Sequence, residues 1–261
     1  MNKKGTELLD LEVVDLAGPN RPQTLGGKVY DMVIIDTYSQ RIFVKLLAKK
    51  SDAAYVLMKW IVQVEVQTGK KLKRLRSDNG GEFLSGKFIG WLSLRRTTQQ
   101  TTPSYSPQSN EIAKRGNRTL QDKARTMMLE SGLSGSLWGE IMLTSCVLRN
   151  LTHTSSLSVT PPEMWSCKKP SVEHLRVVGC KAFCQLDKKE MKGKFGAKAW
   201  VGCMVGCAVD TPGYRVWDPE THKVWDVRGP DFDETVSGGW WKKPVAERKP
   251  IWEDDAPLEL V

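Results

Sequence analysis

The stretch Arg76-Ser77-Asp78-Asn79-Gly80-Gly81-Glu82-Phe83 decides how the rest of the chain reads. Lys71 to Arg76 leads into it as a strand, and Asn79-Gly80-Gly81 turns the backbone, so Asp78 presents a carboxylate at a strand end. Upstream, Val14-Asp15-Leu16-Ala17-Gly18-Pro19 brings Asp15 to the end of another strand, just before a turn. Downstream, Asn110-Glu111-Ile112-Ala113-Lys114-Arg115 opens a basic helix, and 35 residues separate Asp78 from Lys114. Each aspartate taken singly is also an ordinary turn residue. Their meaning comes from occurring together.

The elements around these residues alternate. Leu11 to Leu16, Tyr30 to Ile35 and Arg41 to Leu47 read as strands. Ser51-Asp52 predicts the cap of a helix with Ala54, Leu57, Met58 and Ile61 at helical spacing, closed by Gly69. A helix from Phe83 to Leu94 buries Phe88, Trp91 and Leu92, and Arg95 to Thr102 supplies a short edge strand. After a Pro/Ser loop over 103–109, a helix from Asn110 to about Leu129 carries Ile112, Gly116, Leu120, Ala124, Met127 and Met128 as its apolar stripe. A further helix spans Ser136 to Asn150. The chain then changes character, with short β-type segments at Leu175 to Phe183, Ala199 to Val205, Tyr214 to Trp217 and Val224 to Val227. The fold class is α/β followed by a small β domain.

A net charge of +9 and a pI near 9.2 favour an anionic partner, nucleic acid being the commonest. No apolar run approaches the roughly 18 residues of a membrane span, and the sequence reads as intracellular. Six cysteines are then expected as thiols, with Cys180-x₃-Cys184 and Cys203-x₃-Cys207 in the core rather than on zinc. The run Lys70-Lys71-x-Lys73-Arg74-x-Arg76 reads as either a solvated face or a phosphate-contacting surface.

Taken together, the Asp15, Asp78 and Lys114 stations resemble the catalytic core of retroviral-type integrases, specifically those of copia-type LTR retrotransposons. The later phrases Ser171-Val172-Glu173-His174-Leu175 and Gly213-Tyr214-Arg215-Val216-Trp217-Asp218 resemble the SH3-like domain that follows that core in copia polyproteins. The resemblance implies a ribonuclease-H-like mixed sheet flanked by helices over 1–165 and an SH3-like β domain over 166–236, while the Gly-, Pro- and charge-rich composition of 237–261 reads as a flexible tail. It also implies DNA strand transfer and 3′-processing through Mg²⁺ or Mn²⁺ held by Asp15 and Asp78, with Lys114, Arg115 and Arg118 against DNA. Element ends and target DNA would be the partners, in the nucleus, with a homo-oligomer as the assembly it allows.

The family has Glu where this chain has Lys114. An ammonium donates no lone pair and repels a cation, so catalysis is expected to be weak or lost and metal binding weakened. Glu111, three positions earlier, stands either as a substitute carboxylate or as an ordinary surface ion-pair partner. A non-enzymatic nucleic-acid or protein-interaction module and a decaying element copy are the rival readings.

Overall fold

The computed structural model describes residues 4–101, 111–186, 196–208 and 212–242. They divide into two compact units, Met1–Met128 with Ser134–Leu175, and Leu129–Leu133 with Arg176–Val261.

The first unit is built on a mixed sheet of order β3-β2-β1-β4-β5. Its strands are β1 (Leu11–Ala17), β2 (Tyr30–Asp36), β3 (Ile42–Leu47), β4 (Arg74–Ser77) and β5 (Thr98–Thr101). The first three form an antiparallel meander, whereas β4 runs parallel to β1 and β5 parallel to β4. Because successive side chains alternate between faces, the apolar run of β2 serves two cores. Val14, Met32 and Ile34 pack on one side with Leu57, Trp60, Ile61 and Val64 of helix α1 (Ala53–Thr68) and Phe88 and Leu92 of α2 (Gly86–Leu94). Leu11 and Val13 face the other side, against Ala113 of α3 (Glu111–Ser131). Helix α4 (Trp138–Leu151) lies on that side too, with Asn150 exchanging hydrogen bonds of 2.9 and 2.8 Å with the Ile42 backbone. The short α5 (Pro161–Ser166) contributes Trp165, stacked edge-on to Phe43 at 5.2 Å.

The Ser51-Asp52 segment is a 3-10 turn, and Asp52 makes no side-chain cap to α1. Helix α2 begins only at Gly86, because Ser85 caps it by accepting from the Phe88 amide. Residues 81–83 form a separate 3-10 turn. The buried side of α3 is Ala113, Asn117, Leu120 and Ala124, rotated from the apolar stripe read through Ile112 and Gly116. Gly116 sits where the helix crosses the sheet, and a Cβ there would lie 2.5 Å from Ile35 Cδ1. The loop read over 103–109 and the helix start at Asn110 lie outside the described residues.

The second unit holds an antiparallel sheet of order β10-β6-β7-β8-β9: β6 (Lys181–Gln185), β7 (Ala199–Cys207), β8 (Tyr214–Asp218), β9 (Lys223–Val227) and β10 (Asp231–Asp233). Ala182, Cys184 and Val216 form its core. Burial pushes the thiols of Cys180 and Cys184 up to about 12, as befits neutral core groups. Trp240 and Trp241, in the segment read as a tail, are both buried, and Trp240 Nε1 donates to the Gly179 carbonyl at 3.1 Å. Residues 243–261 lie outside the described part.

One feature of the first unit is costly. Glu12 and Asp36 are register partners on β1 and β2, and both are fully buried. Asp36 accepts from Ser39 N and Oγ and from Leu9 N, whereas neither Glu12 oxygen has a donor. Burial, reinforced by the Asp36 charge, holds the Glu12 carboxyl well above the usual range. A carboxyl raised in this way contributes stability while protonated and loses that contribution as pH climbs through its folded-state value. Glu12→Gln should therefore stabilise the protein at pH 7.5 by about 1 kcal/mol or more relative to its effect at pH 4. Urea unfolding at the two pH values measures this, and an equal effect at both would refute it.

Candidate metal centre and nucleic-acid face

The parallel register of β1 and β4 places Val13 opposite Arg76. Asp15 and Asp78 each lie two residues further along, so they end level, on the α3 side of the sheet. Asp78 is fixed by its own turn, Oδ1 accepting from the Gly80 amide at 3.1 Å. Asp15 is fixed from across the sheet, Oδ2 accepting from Asn117 Nδ2 of α3 at 3.1 Å. Lys114 lies one helical turn before Asn117 and is exposed.

The electrostatics of Asp15 reflect its neighbours. Burial raises the Asp15 carboxyl; the Asn117 hydrogen bond opposes this, the Asp78 charge adds to it, and the Lys114 charge opposes it again. Asp15 thus senses both other stations. Two facing carboxylates are donors suited to one shared hard cation, which would remove their mutual repulsion. The third station does not suit one, because an ammonium has no lone pair to give. Among the described residues, no three His, Cys, Asp or Glu side chains group as a metal-holding cluster.

One carboxylate escaped the sequence reading. Asp31 of β2 pairs with Ala17, diagonal to Asp15, which pairs with Val33. Burial raises Asp31 to about 6, against the Asn20 Nδ2 hydrogen bond of 2.7 Å and with help from the Asp15 charge. The available signal was an acidic residue within the apolar Tyr30 to Ile35 run.

Neighbouring acids turn elsewhere. Glu82 lies within the 3-10 turn, its buried carboxylate 3.4 Å from Lys50 Nζ. Glu111 lies at the first turn of α3 and lines a cavity with Arg76, Arg115 and Arg149. The basic run of 70–76 is largely neutralised: Lys70 and Lys73 bind Glu7, Lys71 binds Glu65 at 3.0 Å and Arg74 binds Asp10 at 2.9 Å. That favours the solvated-face reading. Lys114, Arg115 and Arg118 are all exposed on the first two turns of α3, with Arg118 only 3.9 Å from Asp122. No helix among the described residues is long and apolar enough to cross a membrane.

Comparison with known proteins adds the family. The Integrase core domain matches residues 13–107, and the Retroviral polymerase SH3-like domain matches 180–246. The Retrovirus-related Pol polyprotein from transposon TNT 1-94 of Nicotiana tabacum is 37% identical over 235 residues, which are 90% of this chain and 18% of that protein. The Retrovirus-related Pol polyprotein from transposon RE2 of Arabidopsis thaliana is 23% identical over 208 residues, 78% of this chain and 14% of that protein. The chain thus spans less than a fifth of these curated relatives. A chain of the simian T-cell lymphotropic virus intasome, solved in complex with PP2A regulatory subunit B56 gamma, shares the fold at a TM-score of 0.53 and 13% identity. That match covers 87% of this chain and 82% of the intasome chain.

The proximity of the carboxylates has a direct readout. Asp31 should titrate near pH 6 by carboxyl-carbon NMR, and Asp15→Asn should lower that midpoint, because a charge that opposes ionisation is removed. An Asp31 midpoint unmoved by the substitution would mean that the two carboxylates do not interact.

Proposed function

This chain belongs to the integrase core family, with a retroviral polymerase SH3-like domain behind the core, and from that premise we propose that it is a DNA-integration module of copia-type descent, able to bind DNA but impaired in strand transfer. The observation that carries the reading is the parallel pairing of β1 with β4, with Asp15 near the end of β1, Asp78 just past the end of β4, and the charges of both Asp78 and Lys114 felt at Asp15. A bound Mg²⁺ or Mn²⁺ would activate the attacking oxygen and stabilise the leaving one in phosphodiester exchange. Asp15 and Asp78 are the residues of this chain that would hold it. Asn117 keeps Asp15 oriented toward the site, and the Asp78 turn keeps the second carboxylate level with the first. Lys114 contributes positive charge in place of a donor, so binding of the ion is weakened.

Lys114, Arg115 and Arg118 are the proposed DNA contacts, acting on phosphates and carrying little sequence information. The assignment of 1–165 to the core, 166–236 to the SH3-like domain and the remainder to a tail belongs to the same proposal. So do nuclear action, self-association and recognition of element ends and target DNA.

If the missing carboxylate causes the impairment, Lys114→Glu should restore Mg²⁺- or Mn²⁺-dependent nicking or strand transfer. A gain of at least about tenfold corresponds to about 1.4 kcal/mol of transition-state stabilisation. Asp78→Asn in the repaired protein should remove the gain. A repaired protein that folds and binds DNA yet stays inert would refute the role given to position 114. The interaction-module reading would then be preferred.

DNA affinity offers an independent check. With about three phosphates neutralised by Lys114, Arg115 and Arg118, it should fall roughly 40-fold between about 50 and 200 mM salt. Replacing the three residues together should flatten that dependence. Affinity insensitive to salt would point to a protein partner.

A further inference from the structure

We propose that the first unit holds a second ligand site, a cavity for a mononucleotide-sized organic phosphate, between the sheet and the beginning of α3. The cavity has a volume of about 590 Å³ and lies to one side of the Asp15–Asp78 pair. Such a volume is within the range of small-molecule sites, about 300 to 1,000 Å³. Its walls are of two kinds. Ile35, Ile42 and Ile112 supply an apolar floor, while Lys4, Arg76, Arg115 and Arg149 supply positive charge from four separate places in the sequence. Glu111 is the one acidic residue among the described residues of the wall.

That excess of charge is unusual because part of it is buried. Burial lowers the pKa of Arg149, so folding has taken its guanidinium partly out of water. The nearby Cys146 thiol is pushed up to about 12 and is neutral at physiological pH, so it gives Arg149 no counter-charge. Arg149 Nη1 and Thr154 Oγ1, both withdrawn from solvent, have no hydrogen-bond partner among the described residues. Unsatisfied buried donors are costly, and each is expected to have an explanation. A phosphoryl group supplies what is missing: roughly two negative charges and three strong acceptor oxygens, matched to the guanidinium fork. The isoleucines would cover the body of the ligand, as a planar base requires, and leave the phosphate at the cationic rim.

Gly116 makes the space. It lines the cavity at the point where α3 comes closest to Ile35, and a side chain there would press on the floor. The site uses neither Asp15 nor Asp78 and needs no divalent ion.

Calorimetric titration of the full chain with AMP in EDTA tests the proposal. One saturable site is expected with a Kd of about 1 mM or tighter. Adenosine should bind at least about tenfold more weakly, and so should AMP to Arg149→Gln, because each lacks one side of the charge-assisted contact. Should that variant fold poorly, methyl NMR of the unaltered protein decides the matter: AMP should shift the Ile35, Ile42 and Ile112 methyl signals. Displacement of AMP by a DNA duplex without terminal phosphates would assign the phosphoryl group to a nucleic-acid backbone, and failure to displace it would assign a free small phosphate. The absence of saturable AMP binding, equal binding of adenosine, or shifts confined to other methyls would overturn the proposal.

Discussion

The parallel pairing of β1 with β4 is the constraint from which the rest of the first unit follows. Its register sets Val13 against Arg76 and so brings Asp15 level with Asp78, although 62 residues of chain lie between the two aspartates. A parallel pair cannot be closed by a tight turn; it needs a crossover. Here that crossover consists of the β2–β3 hairpin and α1, whose apolar face seals one side of the sheet. The other side is left to α3 and α4, and Gly116 lets α3 come close enough for Asn117 to reach Asp15. A one-residue slip of β4 would turn Asp78 to the opposite face and dissolve the site.

The sheet carries buried carboxyls on both faces, and they are handled differently. On the α1 side, Glu12 meets Asp36 with the available donors committed to Asp36, so Glu12 is driven toward its neutral form. On the α3 side, Asp15 and Asp31 each receive one side-chain amide, from Asn117 and Asn20. Asp15 also lies within the field of Lys114. One amide per carboxylate moderates the repulsion without removing it, which leaves Asp15 and Asp31 raised and receptive to added positive charge. The ammonium at position 114 supplies some of that charge as a fixed part of the protein.

Much of the fold was legible because its signals are local. The apolar run of Tyr30 to Ile35, the Gly69 stop and the turn after Asp78 are set by side chains within a few residues of one another. The buried face of α3 was not legible in this way. Ile112 and Gly116 look like core residues by composition, yet they border a cavity, while the polar Asn117 is buried because its partner is Asp15, 102 residues away. Asp31 was passed over for the same reason, since its raised pKa comes from burial beneath other elements. Trp240 and Trp241 lie in a Gly- and Pro-rich segment that suggests fraying, but aromatic contact with Trp217 at 5.9 Å and the hydrogen bond to Gly179 hold them in place.

The sequence by itself determined the order of the principal strands and helices, the family and the identity of the residue at each of the three stations, including the lysine at the third. Those depend on residue type and spacing, which are properties of the chain before it folds. Only the tertiary structure decided that Glu111 lies on the wall of an arginine-lined cavity. It alone revealed that the basic run of 70–76 spends its charge on Glu7, Glu65 and Asp10, and that Arg149 is half-buried with an Nη1 that has no hydrogen-bond partner among the described residues. These outcomes rest on which distant side chains come within a few ångströms of one another and on how much water is excluded. Both are fixed by packing, and neither is encoded in any local stretch of sequence.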